Sequence, residues 1–173
     1  MPTYTLRIED RCDSELQDLD ELLAAIARLT TPRGPTFIVL SDPNGNYVQA
    51  GGTNDRYIAE SREVYGEGFI HWAAGYPNCN DRSEAVVYYR NKCLKNEHPS
   101  RRCPLDTVNR RVLRFADIRE ILLHYYATSE RSPAYAWDDI SAKYQEPNPT
   151  SGDDPIKEIR PAWDRIHQAG EWP

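Results

Sequence analysis

Three groups of side chains in this sequence have the types that can do chemistry. The first is a run of carboxylates among aromatics: Glu60, Glu63 and Glu67 in ESREVYGEG, beside Tyr57, Arg62, Tyr65 and Trp72. Paired carboxylates can hydrolyse glycosides, but nothing in the sequence sets two of these apart in environment. The same composition suits a protein interface, where Tyr, Trp and Arg concentrate, or a solvated sheet edge guarded by charge. The second group is Cys79, Cys93, His98 and Cys103, sulfur and nitrogen ligands of the kind zinc takes. Their spacing is wider than common structural sites use and contains no C-x2-C knuckle. Free thiols are therefore expected, with no metal and no cofactor. The third group is the histidines. His124 lies among apolar neighbours in ILLHYY and reads as a packed residue, whereas His71 in FIHWAAG shares a face with Phe69 and Ala73. If that face is buried, His71 is a core imidazole; if it is exposed, His71 belongs to a binding surface.

None of these groups forms a recognisable catalytic constellation. The chain contains no G-x-S-x-G, Walker loop, H-E-x-x-H or G-x-G-x-x-G, and the GEG at 66–68 is too short to cradle a phosphate. A small hydrolase using Glu60 or His71 ranks last, because no nucleophile or orienting third group accompanies them.

Charge narrows the choice of partner. The chain of 173 residues has a net charge of −6, yet Arg82 to Arg119 holds ten Lys/Arg against four Asp/Glu. An acidic protein attracts basic proteins and repels phosphate at long range. The basic segment 82–119, with Tyr88 and Tyr89 as stacking platforms, keeps open a second reading as a nucleic-acid or nucleotide-binding module. No run approaches the roughly eighteen apolar residues of a membrane span, and MPTYTLRIEDRCD carries charges where a signal peptide is apolar, so a cytoplasmic protein is expected.

The elements that must position these residues follow from periodicity. YTLRIE alternates as a strand, and DSELQDLDELLAAIARLT spaces Leu16, Leu19, Leu22, Leu23, Ile26 and Leu29 as a helix capped by Asp13 or Ser14. TPRGP stops that helix. TFIVLSD, the turn PNGN and YVQAGG predict a hairpin over 36–52. YIAESREVY and FIHWAAG continue the meander across GEG, and EAVVYYRNK reads as a further strand. The segment 93–107, with two prolines and no periodicity, reads as a loop. RFADIREILLHYYATSE places Phe115, Ile118, Ile121, Leu122 and Tyr125 on one helical stripe, and RSPAYAWDDI follows as a docking segment. The expected fold is α+β: an antiparallel sheet of about four to six strands flanked by an N-terminal and a C-terminal helix. One domain over 1–145 is expected, with 146–173 as linker and C-terminal extension.

The order of these elements resembles the first-numbered immunity-protein family of bacterial polymorphic toxin systems, over about residues 4–141. The points of likeness are the hairpin FIVLSDPNGNYVQAGG, YIAESREV followed by FIHWAAG, and the close RFADIREILLHYYATSERSPAYAWDDI. Within that close, Tyr126, Thr128, Glu130, Arg131 and Pro133 fit a Phe/Tyr-x-T-x-E-R-x-P phrase that leads to Trp137. The cysteine-bearing insertion and the tail have no counterpart in it. The resemblance implies a protein without enzymatic activity that binds a cognate toxin, commonly a deaminase, and blocks its active site or substrate groove. In that reading the aromatic and acidic strands are the plug, with Glu60, Arg62, Glu63, Tyr65, Glu67 and Trp72 as the partner-binding residues.

Overall fold

The structure is a computed structural model that describes residues 3–9, 12–90 and 102–145. Nine strands and three helices follow one another along these residues. They are β1 (Thr5–Ile8), β2 (Ser14–Glu15), α1 (Leu19–Arg28), β3 (Phe37–Ser41), β4 (Tyr47–Thr53), β5 (Arg56–Tyr65), β6 (Gly68–Gly75), β7 (Glu84–Arg90), β8 (Arg102–Val108), α2 (Phe115–Thr128), β9 (Ala136–Asp139) and α3 (Ala142–Gln145). Seven strands form one antiparallel sheet in the order β2-β1-β3-β4-β5-β6-β9, and β7 and β8 form a separate hairpin. The α+β class with flanking helices is as expected from the sequence. The main sheet reaches seven strands because two short edge segments join it.

The hydrophobic core lies on one face of the sheet. Leu6, Ile8, Ile38, Leu40, Val48, Ala50, Tyr57, Ala59 and Ala74 alternate along their strands and meet Leu22 and Ile26 of α1 and Ile118, Ile121 and Leu122 of α2. The stripe predicted for α2 is the one it buries, with Tyr125 at its end. Two polar clamps tie this layer together. The Tyr57 hydroxyl donates to the Leu29 carbonyl at 3.2 Å, and the Tyr4 hydroxyl donates to the Tyr125 carbonyl at 3.0 Å.

The turns behave as their residues dictate. Asn54 and Asp55 both sit at φ 56, the left-handed pair that a two-residue hairpin turn between twisted strands requires. At Gly52 (φ +152), a Cβ would lie 2.1 Å from the Arg56 carbonyl oxygen, so only glycine lets β4 and β5 pair there.

Two expectations need correction. The first helix begins at Leu19, not at residues 13–14: Asp18 is its N-cap and accepts from the Glu21 amide at 2.8 Å. Ser14 and Glu15 are extended because they pair with Leu6 and Thr5, and the Leu16 amide continues the ladder to the Tyr4 carbonyl at 2.8 Å. In the presumed loop 93–107, Arg102 onward is strand β8, paired with β7 in register from Arg90↔Arg102 to Glu84↔Val108. Pro104 is compatible with this because a two-stranded hairpin leaves each strand with a free edge for a residue that has no N–H. The remainder of that segment and the predicted C-terminal extension lie outside the described residues.

The face of the sheet opposite the helices is covered in part. The β7–β8 hairpin packs over β4 and β5, with the Thr53 hydroxyl donating to the Tyr88 carbonyl at 3.3 Å. At the end of β6, α3 folds back: the Ile140 amide donates to the His71 carbonyl at 2.8 Å, and the His71 amide donates to the Ser141 hydroxyl at 2.9 Å.

Candidate functional site

The period of two along β5 divides the sequence-predicted partner residues between the two faces. Glu60 and Arg62 stand beside Gln49, Tyr47 and His71 on the face away from the helices, while Glu63 and Tyr65 have the opposite parity, with Trp72. Glu67 is exposed in the turn between β5 and β6.

Glu63 is the centre of the first assembly. Its Oε2 accepts from the Tyr65 hydroxyl at 2.7 Å and from Trp72 Nε1 at 3.3 Å, and its Oε1 accepts from Arg131 Nε at 2.6 Å. Partial burial pushes this carboxyl up, but its donors Tyr65, Arg131 and Trp72 outweigh that and hold it below the usual carboxylate range. The Arg131 guanidinium lies 4.0 Å from the centre of the Trp72 ring and 5.8 Å from that of Trp137. Such planar stacking favours arginine over lysine.

Local backbone chemistry brings these residues together from distant parts of the chain. Helix α2 ends at Ser129 in a left-handed conformation (φ 57), with its amide bonded to the Tyr125 carbonyl at 2.7 Å. The chain then reverses through Ser132 and Pro133, Trp137 Nε1 donates to the Ser132 carbonyl at 2.9 Å, and β9 pairs with β6. On the other side, Gly66 (φ +55) turns β5 into β6. Between the two lies an open groove of about 560 Å³ lined by Glu63, Tyr65, Tyr125, Glu130, Arg131 and Trp137. Its rim is exposed: Tyr65 is 57% accessible and Glu130 faces solvent, as does Glu67 in the adjoining β5–β6 turn.

Glu60 is the centre of the second assembly. Its Oε2 receives Gln49 Nε2 at 2.7 Å and the Tyr144 hydroxyl at 3.3 Å, and lies 3.3 Å from His71 Nε2. Burial raises the Glu60 carboxyl, but hydrogen bonding and charge from His71, with help from Gln49 and the field of Lys143, bring it below its ordinary value. His71 is 1% exposed and Tyr144 stacks on it with ring centres 4.1 Å apart at 14°. The buried alternative for His71 is thus the one realised. Beside it the Arg62 guanidinium covers the Phe69 ring at 4.7 Å.

In the basic segment, Arg82, Arg114 and Arg119 are exposed, whereas Arg110 and Arg111 are half-buried. Arg110 and Arg111 both engage Asp138 on β9, the latter through Nε at 3.0 Å and Nη2 at 2.8 Å. Burial raises the Asp138 carboxyl, and the two arginines overcome this and hold it low. Arg114 Nη1 reaches Asp55 at 3.2 Å, while Asp55 also accepts from the Phe115 amide at 2.8 Å and so caps α2. Of the residues weighed for zinc, Cys93 and His98 lie outside the described residues, Cys103 stands on β8, and Cys79 is a half-buried free thiol.

Gln49, Tyr144, Arg131 and Trp137 were absent from the predicted site. For Gln49 the signal was available: in a strand whose other face is Val48 and Ala50, a polar residue flanked by Tyr47 on its own face needs a partner once that face is covered. For Arg131 it was the arginine directly after the helix end. No family model, no curated protein and no solved structure matches this chain.

Proposed function

We propose that this protein is an immunity protein that binds a cognate bacterial toxin and occludes its active site, acting by binding alone. The observation that carries this reading is the groove at the sheet end, where an exposed Tyr65 stands over the Glu63–Arg131–Trp72 stack. Tyr, Trp and Arg supply most of the energy of protein interfaces, and here their rotamers are fixed before any partner arrives. The exposed Glu130 on its rim and Glu67 in the adjoining turn, on a chain of net charge −6, match the basic groove of an enzyme that acts on nucleic acid, such as a deaminase. The resemblance of the element order to the first-numbered immunity family supports the same class.

Of the predicted partner residues, Tyr65 and Glu67 make direct contact in this proposal, with Glu63 and Trp72 holding the surface in shape. Glu60 and Arg62 lie on the other face and make no contact with the toxin in this proposal. In the competing nucleic-acid reading, phosphate would meet the exposed Arg82 and Arg119 and would compete with Asp138 and Asp55 for Arg110, Arg111 and Arg114.

The test is growth protection. Cells expressing the neighbouring open reading frame should lose viability, recover it when this chain is co-expressed, and lose protection with Tyr65→Ala plus Glu67→Lys. A toxic neighbour that the wild-type chain leaves fully active would refute the proposal for that partner, and salt-sensitive binding to single-stranded oligonucleotide would favour the alternative.

A further inference from the structure

A second site lies on the face away from the helices, and its chemistry is independent of the function just proposed. Between β5, β6, the β7–β8 hairpin and α3 there is a cavity of about 170 Å³ whose walls include Ile58, Glu60, Ala73, Leu105, Asp106 and Tyr144. A cavity near 150 Å³ holds a benzene-sized guest, whereas drug-sized ligands need roughly 300 Å³ or more. One side chain or one small organic ion is the guest of the right size.

One carboxylate on the wall marks where a donor would bind. All three groups that approach Glu60 converge on Oε2, and Oε1 receives no hydrogen bond among the described residues. The carboxylate is held in its ionised form by that same set of neighbours. Asp106 adds a second negative charge, and of the two cations that also line the wall, Arg111 and Lys143, Arg111 is engaged by Asp138. Lys143 contributes a field at Glu60 from the exposed single turn α3. Ile58, Leu105 and Ala73 offer an aliphatic lining for a methylene stem.

The geometry points to a receptor for one guanidinium or ammonium group on a short aliphatic stem, whose N–H groups meet Glu60 Oε1. Such a group is carried by a small free cation or by a lysine or arginine of another protein. A buried carboxylate with an open acceptor binds a charged donor more strongly than a neutral one.

The test is titration of the whole chain with butylguanidinium and with butylurea, its uncharged isostere, followed by amide chemical shifts. Saturable shifts centred on Glu60, Ala73 and Thr107 are expected, with butylurea at least about tenfold weaker. Glu60→Gln should abolish that difference and Asp106→Asn should reduce it. Should Glu60→Gln fail to fold, the comparison on the wild-type chain makes the same distinction. Equal affinity for the two probes, or no saturable shift at millimolar concentration, would overturn the assignment. An N-acetylated Gly-Arg-Gly amide identifies the source: tighter binding than butylguanidinium marks a protein side chain, and weaker binding a free cation.

Discussion

Removing Arg131 should cost far more than an exposed arginine usually does, and the cost should be coupled to Glu63. Arg131 Nε donates to Glu63 Oε1 at 2.6 Å, and the two side chains are only 26% and 24% exposed. A charge-assisted hydrogen bond in such a place contributes about 1.5–3 kcal/mol, above the range of about 0–1 kcal/mol for fully exposed pairs. The guanidinium 4.0 Å above Trp72 adds about 1 kcal/mol. Arg131→Ala should therefore destabilise by about 3 kcal/mol and Glu63→Gln by about 1.5 kcal/mol, with a coupling energy near 1.5 kcal/mol in the double variant. Arg131→Lys keeps the charge but loses the planar stack, so it should recover less than half of the loss. Urea unfolding followed by circular dichroism measures all four. With slopes of about 1–3 kcal/mol per molar urea, the coupling corresponds to a midpoint difference of roughly 0.5–1.5 M. A coupling energy below about 0.5 kcal/mol would show that the two residues act separately and that the groove is not pre-formed by them.

Three further outcomes follow from the same structure. The Glu60 carboxyl is held below its ordinary value of 4.5, so its stabilising contribution is complete above that pH and is lost as the pH falls through the lower folded-state value. Glu60→Gln should accordingly be less stable than wild type at pH 7, with a gap that narrows steadily on acidification below pH 4.5; a gap independent of pH would refute the His71 and Gln49 assignment. Gly52→Ala places a Cβ 2.1 Å from the Arg56 carbonyl oxygen and 2.7 Å from Tyr57 Cα at φ +152, so denaturant unfolding should show a loss of about 3 kcal/mol or more, and a loss under about 1 kcal/mol would contradict the register of β4 and β5. The Tyr76 phenol, raised to about 12 by burial and by its hydrogen bond to Asp117, should be missing from the alkaline absorbance titration of Tyr76→Phe near that pH and should titrate lower in Asp117→Asn; an unshifted titration in the second variant would break the link.

Much of the fold was legible because its signals are local. PNGN between two apolar runs specifies the β3–β4 hairpin, and the stripe from Phe115 to Tyr125 specifies α2. What failed was set by tertiary pairing. Leu16 fits the helical spacing of the first helix, yet the neighbouring Ser14 and Glu15 gain more from joining the edge of β1, and Asp18 supplies the cap. RCPLDTV and AWDD lack clean alternation, so only their partners β7 and β6 make them strands. In the site, parity was readable from residue numbers alone: 60 and 62 cannot share a face with 63 and 65 on an unbulged strand. The convergence of Arg131 and Tyr144 on those carboxylates was not readable, since both arrive from more than sixty residues away.

Amide hydrogen exchange on the chain, alone and in complex with the toxin it is proposed to neutralise, tests the central claim most directly. Added protection at 63–68 and 129–133, the two walls of the groove, is the expected result. A stoichiometric complex whose protection falls elsewhere, with these two segments exchanging as in the free chain, would place the interface on another surface and contradict the account.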